Sequence, residues 1–179
     1  MAIDIMLDIE TLATSPDSVI LTLGAIKFNP FDPEAEMGQA LYVKVDVDEQ
    51  VNLGRKVDPS TVEWWGKQSE AVREEALGEG DRINLEDFTQ QINKFVNSAN
   101  RIWAQGPVFD IVILENLYRQ LNKPTPWPFY VIRDSRTLLQ ALGDDRQPGR
   151  EQAHNALADC VYQAQAVQSA VQRHKLTTL

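Results

Sequence analysis

The sequence predicts an α/β domain, a mixed five-stranded sheet in which a three-strand antiparallel meander is joined by parallel strands and flanked by helices. Three observations predict it. The first fifty residues alternate apolar and polar positions at the period of a strand. From residue 58 onward the apolar positions recur mostly at helical spacing, interrupted by two short apolar runs. A chain of 179 residues, 43% hydrophobic and 24% charged, is long and apolar enough to bury one core.

Ile3, Ile5 and Leu7 alternate with Asp4, Met6 and Asp8, which predicts a first strand over 3–9. VILTLGAIKF (19–28) is the second, and Leu41, Val43, Val45 and Val47 mark a third over 40–47. NPFDPEAEMG between them is turn chemistry. Consecutive strands joined by loops pair as a meander, with the first strand central. Asp58-Pro59-Ser60 is a helix entry, leading into a polar helix over 61–77. Asn84 is an N-cap for the amphipathic run Leu85, Phe88, Ile92, Phe95 and Val96. A short strand at 102–105, a helix at 110–121, a last strand at 129–132 and a short helix at 135–142 follow. The chain closes with a long helix over 155–173, striped by Leu157, Val161, Ala164, Val167 and Val171. No repeat or linker composition divides it, so residues 1–179 are expected to form a single domain.

Cys160 is the one cysteine and cannot form an internal disulfide, and Asp4 and Asp8 interrupt any apolar leader. A cytoplasmic protein is expected. No apolar run of about 18 residues is present, so no membrane partner is expected. The net charge of −9 argues against a polyanionic partner, but the charge is segregated. Residues 1–50 hold ten acids and two bases, whereas 119–150 hold six bases and three acids. An acidic region can still meet a polyanion when divalent cations neutralise it.

The stretch LDIETL runs a strand into two carboxylates, Asp8 and Glu10, which share a face because Ile9 alone separates them. Such a pair needs a cation, a shared proton or water. In WAQGPVFD, Asp110 opens a helix after Gly106 and Pro107, where a helix-start role would explain it by itself. In HNALADC, His154 and Asp159 are five residues apart, roughly 140° around an ideal helix, so His154 must lean in from the preceding loop or first turn. Asp159 lies among small and apolar neighbours, a costly setting for an unpartnered carboxylate. Four carboxylates from three segments and one imidazole suit two hard divalent ions held through oxygen, with a base nearby. One cysteine and two histidines leave few ligands for zinc. No nucleophile elbow, Walker loop or dinucleotide fingerprint occurs.

DIET (8–11), GPVFD ending at Asp110, and the His154…Asp159 pair together resemble the three motifs of DEDDh exonucleases, in order and across nearly the whole chain. VDPSTVEWW, W-x-x-G-x-x-FD and RDSRTL are similar to those of phage and prophage 3′-to-5′ exonucleases of the ribonuclease AS-like group, some of them labelled exodeoxyribonuclease VIII. The resemblance implies a ribonuclease-H-like fold, whose element order agrees with the one predicted here. It implies that Asp8, Glu10 and Asp159 hold one Mg²⁺ or Mn²⁺, that Asp8 bridges to a second ion near Asp110, and that His154 is the general base. Substrates would be 3′ ends of single-stranded RNA or DNA, released as nucleoside 5′-monophosphates.

Thr11 and Leu12 are candidate contacts to the 3′-terminal nucleotide. Trp64 and Trp65 have two readings, base stacking or core, and at least one is expected in the core. Phe109 is a candidate contact for which a core role is the better explanation. Arg133, Arg136, Arg146 and Arg150 lie in the positive segment and could steer a strand, or form a solvated face. Relatives such as ribonuclease T act as homodimers in which the partner supplies basic residues, so a homodimer is expected. A catalytically silent module of the same fold and a ribonuclease-H-type endonuclease are the alternatives.

Overall fold

A computed structural model describes residues 3–32, 34, 36–97, 99–146 and 154–179; Arg150 lies outside them. Its sheet has the order β4-β3-β2-β1-β5-β6. β1 (Asp4–Thr11), β2 (Ile20–Phe28) and β3 (Ala40–Val45) form the antiparallel meander. On the other side of β1, β5 (Arg101–Ala104) and then β6 (Ile132–Asp134) add in parallel. β1 is therefore interior, and it is the strand at which pairing changes from antiparallel to parallel.

The expected five strands become six. β4 (Arg82–Ile83) pairs in parallel with Lys44 and Val45. Two residues carry no alternation to detect. The strand is fastened by Arg82, whose guanidinium donates to the carbonyls of Leu21, Val45 and Ala76.

The third strand ends at Val45 because Asp46 caps a helix that the alternation hides, α1 (Val47–Asn52), accepting from the Glu49 amide at 2.7 Å. Gln50 of α1 is fully buried and bonds both the amide and the carbonyl of Ile20. The single helix expected over 61–77 is two, α2 (Pro59–Gly66) and α3 (Glu70–Leu77), with Ser69 capping the second. α4 (Leu85–Val96) starts after Asn84, whose side chain accepts from Asp87 N. α5 (Pro107–Gln120) begins three residues earlier than expected, because Gly106 takes a left-handed φ of 101° and Pro107 supplies a helical φ at the first position. Residues 129–131 form a 3₁₀ turn rather than strand, and β6 follows them. α6 (Ser135–Leu142) and α7 (Ala156–Arg173) complete the chain.

The two faces of β1 bury different cores. Ile5, Leu7 and Ile9 pack with Leu23, Val43, Phe88, Leu114 and Leu117 in the main cluster. Met6 faces the other way, with Ile26, Phe28, Trp103, Cys160, Ala164 and Val167. Asp8 and Glu10 continue the Met6 face, so they emerge beneath α7 where its apolar stripe runs out.

Candidate active site

Four elements supply the charged side chains. β1 ends with Asp8 and Glu10, α5 brings Asp110 in its first turn, and α7 brings Asp159 in its own. Oxygens of Asp8, Glu10 and Asp159 all lie within 4.8 Å of one another, and the three residues are half-buried. Asp110 is buried and accepts from Ile9 N at 3.1 Å, which ties α5 to the residue between the two β1 acids. α6 contributes Arg136, which lines the same cavity of about 340 Å³ and donates to the Gln105 carbonyl at 2.9 Å.

The seat of α7 sets where Asp159 goes. Gly24 of β2 lies opposite Asp8 in the register, and the Ala156–Leu157 peptide at the start of α7 rests directly on it. The Cys160 thiol donates to the Gly24 carbonyl at 3.2 Å. Asn155 caps the helix by accepting from Ala158 N at 2.9 Å. One residue earlier, His154 takes a left-handed backbone, φ 69°, and its amide donates to Asp159 Oδ2 at 3.0 Å. Strain at such a residue persists where its surroundings hold it. The imidazole packs edge-on against Trp64, with ring centroids 4.9 Å apart, and lines the acidic cavity.

Burial governs the electrostatics. Burial, reinforced by the negative charge of Asp110, pushes the Glu10 carboxyl from 4.5 up to about 8. Burial raises Asp110 also, against the pull of the Ile9 amide and of Arg136. The Cys160 thiol is raised by burial and by the charges of Asp8 and Asp110. An oxygen-only cluster that cannot easily hold its own negative charge fits a hard divalent cation, and fits a softer, thiolate-seeking metal poorly.

A second cavity of about 440 Å³ shares Ile9, Glu10 and Phe109 with the first. Thr11, Thr14, Ser60, Thr61, Trp64 and Trp65 complete its wall. Trp64 is 40% exposed, whereas Trp65 is buried and donates from its indole to the Thr11 carbonyl at 2.9 Å. Both rings line the cavity, Trp64 as its exposed ring and Trp65 as the buried one that anchors α2 to the end of β1. Phe109 is half-buried and stands between the two cavities. Thr11 is buried, with its hydroxyl given to the Ala13 carbonyl.

Three candidates lie elsewhere. Leu12 is buried with Val19, Leu21, Trp65 and Ala76 and reaches neither cavity. Arg133 donates to the Tyr130 and Ile132 carbonyls, and its charge is felt by Asp4, at the opposite end of β1 from Glu10. Arg146 is held by Asp144 and by the side-chain oxygen of Gln105. Conversely, Gln163, Gln105, Thr14, Ser60 and Thr61 line the cavities without having been singled out. Gln163 is one helical turn beyond Asp159, a spacing that was available as a signal.

A mixed sheet with carboxylates gathered at the end of an interior strand fits a DEDD-type exonuclease, a hydrolase with a ribonuclease-H-like fold, and the likeness to known proteins supports that class. The family model described as "3'-5' exoribonuclease Rv2179c-like domain" matches residues 3–171, and the chain belongs to that family of 3′-to-5′ exonucleases. It is 26% identical over 162 residues to an exodeoxyribonuclease of Enterobacteria phage T4, covering 78% of this chain and 71% of the relative. Among solved structures it is similar in fold to E. coli Exonuclease I bound to single-stranded DNA in a zinc-bound form, with a TM-score of 0.69 and 18% identity. Exonuclease I from Methylocaldum szegediense gives 0.68 and 15%. Each covers 98% of this chain, which spans 42% of their length. Among the described residues no helix is long and apolar enough to cross a membrane.

Proposed function

We propose that the chain hydrolyses single-stranded RNA or DNA from the 3′ end, one nucleotide at a time, to nucleoside 5′-monophosphates. The observation that carries this is the convergence of Asp8, Glu10 and Asp159 within 4.8 Å, beside buried Asp110 and in one cavity with His154. The four carboxylates would hold two divalent cations, Mg²⁺ or Mn²⁺. Such ions, when bound, polarise the phosphate and stabilise charge on the attacking and leaving oxygens.

The chain's own groups account for the rest. His154, held by its edge-on packing with Trp64 and by the hydrogen bond its backbone N–H donates to Asp159, accepts the proton of the attacking water. The Thr11-to-Trp65 cavity receives the terminal nucleoside, with Trp64 and Phe109 offering aromatic faces to its base. Arg136 faces the phosphate. The family description supports RNA, and the name of the phage relative supports DNA. With a net charge of −9 and Arg136 as the one arginine lining the acidic cavity among the described residues, a homodimer whose partner adds basic groups supports the grip on a strand.

The test is digestion of matched 5′-labelled single-stranded RNA and DNA with Mg²⁺ or Mn²⁺, alongside Asp8→Ala and EDTA controls. A single-nucleotide ladder, lost in both controls, is expected, and the faster substrate reveals the preferred sugar. Internal cuts would indicate an endonuclease, and binding without cleavage would indicate a silent module. A monomeric mass by light scattering would overturn the dimer.

A further inference from the structure

Gln163 is 5% exposed yet lines the acidic cavity. Its side-chain amide nitrogen donates to Asp8 Oδ1 at 3.1 Å. Its carbonyl oxygen, Oε1, is buried without a hydrogen-bond partner among the described residues. A buried amide with one end satisfied and the other orphaned is uncommon, because leaving such an acceptor unmade is costly. Reversing the amide does not remove the cost. It would set Oε1 against the Asp8 carboxylate and orphan the nitrogen instead.

The position along the helix is informative. Gln163 and Asp159 are four residues apart on α7, so both project from one helix face toward the end of β1. Where the same helix covers Met6 it presents the apolar Cys160, Ala164 and Val167. An amide kept at the margin between that apolar stripe and the acids has a task at the acids.

We infer that Gln163 is a positioning residue for the cation site. Its amide N–H holds one oxygen of Asp8 and so fixes the rotamer in which the carboxylate meets the cation. Its carbonyl accepts a hydrogen bond from a water that hydrates the cation. Groups that orient a ligating side chain commonly change metal affinity by about 10- to 100-fold when removed. This inference rests on the cation-binding reading of the four carboxylates.

The test is Mn²⁺ titration of wild type and Gln163→Met by calorimetry, with melting of the EDTA-treated proteins in parallel. Methionine keeps the length and volume of the side chain and removes both the donor and the orphaned acceptor. The expected result is Mn²⁺ affinity about 10-fold weaker, with the metal-free Tm held or raised. Gln163→Leu, which fills the same space differently, should weaken affinity similarly. Unchanged Mn²⁺ affinity in either folded variant overturns the inference. A lower metal-free Tm with unchanged affinity does so too, by showing a packing role alone. Failure of the wild type to bind Mn²⁺ overturns the cation reading itself, and this inference with it.

Discussion

Replacing Gly24 with alanine should unseat α7 and so spoil the acidic cluster from a residue that touches no substrate. A Cβ on Gly24 would lie 2.5 Å from the Ala156 carbonyl oxygen and still closer to other atoms of the Ala156–Leu157 peptide, where ordinary contact is 3.4–4 Å. The obstructing atoms are backbone, so no side chain can swing aside. The start of the helix must rise by about 1 Å, in an interior packed too densely to absorb it freely. Overpacking of this kind costs about 1–3 kcal/mol. For a chain of this size the Tm should fall by roughly 2–12 °C. Because Asp159 and His154 move with the helix start, kcat should fall by about 10- to 100-fold, as for a displacement of about 1 Å in a reacting group. KM should change less, since the nucleoside cavity is built from β1, α2 and α5. Melting curves and steady-state cleavage of labelled strands supply both numbers. Gly80→Ala, where the added methyl meets nothing within 4 Å, is the control. A Gly24→Ala enzyme with the Tm and kcat of the wild type would refute the proposed seating.

Further expectations concern charge, packing and stacking. In the EDTA-treated protein Glu10 titrates near 8 when folded and near 4.5 when unfolded, so above pH 5 the folded state binds the extra proton. Stability should therefore decline as pH rises from about 5 to 8, with Glu10→Gln flattening the slope; a Tm that rises over this range would contradict it. Leu12→Ala should cost about 2–4 kcal/mol in denaturant melts while leaving KM within about twofold, because Leu12 is packed in a core cluster. A large KM effect with no loss of stability would restore it as a substrate contact. Trp64→Ala should lower kcat more than Trp64→Phe does, since an aromatic edge beside His154 is retained in the second; equal losses would argue against that contact. Arg136→Ala should weaken strand binding and reduce the slope of log K against log salt by about 1, and an unchanged slope would remove it from the phosphate path.

What the residues reveal by themselves follows the physics each element depends on. Alternation in β1 and β2 and the stripe of α7 are local, and they predict those elements within one or two residues. α1 escapes because Val43, Val45 and Val47 continue the alternation into it; the Asp46 cap, not apolar period, stops the strand. β4 escapes because its two residues are held by Arg82 reaching across to three carbonyls, a tertiary cause. The acids were visible as motifs because their chemistry demands specific side chains at specific offsets. Gly24 was not, since it matters through the backbone lying on it, and Gln163 was legible only as a position one turn beyond Asp159, since its task depends on a single contact 155 residues away. That Leu12 turns into a core cluster was not legible, because adjacency to Glu10 in sequence says nothing about which way a residue past a strand irregularity turns.

The place where β1 changes from antiparallel to parallel pairing also has a bearing on assembly. The Ile9 amide meets Asp110 from 101 residues away and Asp8 meets Gln163 from 155 residues away, so no short stretch of the unfolded chain contains the cluster. Folding concentrates like charges that the open chain keeps apart, and an ion that binds only the finished cluster draws the whole equilibrium toward the native state. At a hundred times its dissociation constant, that bias is about 2.7 kcal/mol. The same chemistry that cuts a strand would then serve as the final clasp of the fold, and cation supply would govern how much of the protein survives as well as how fast it works.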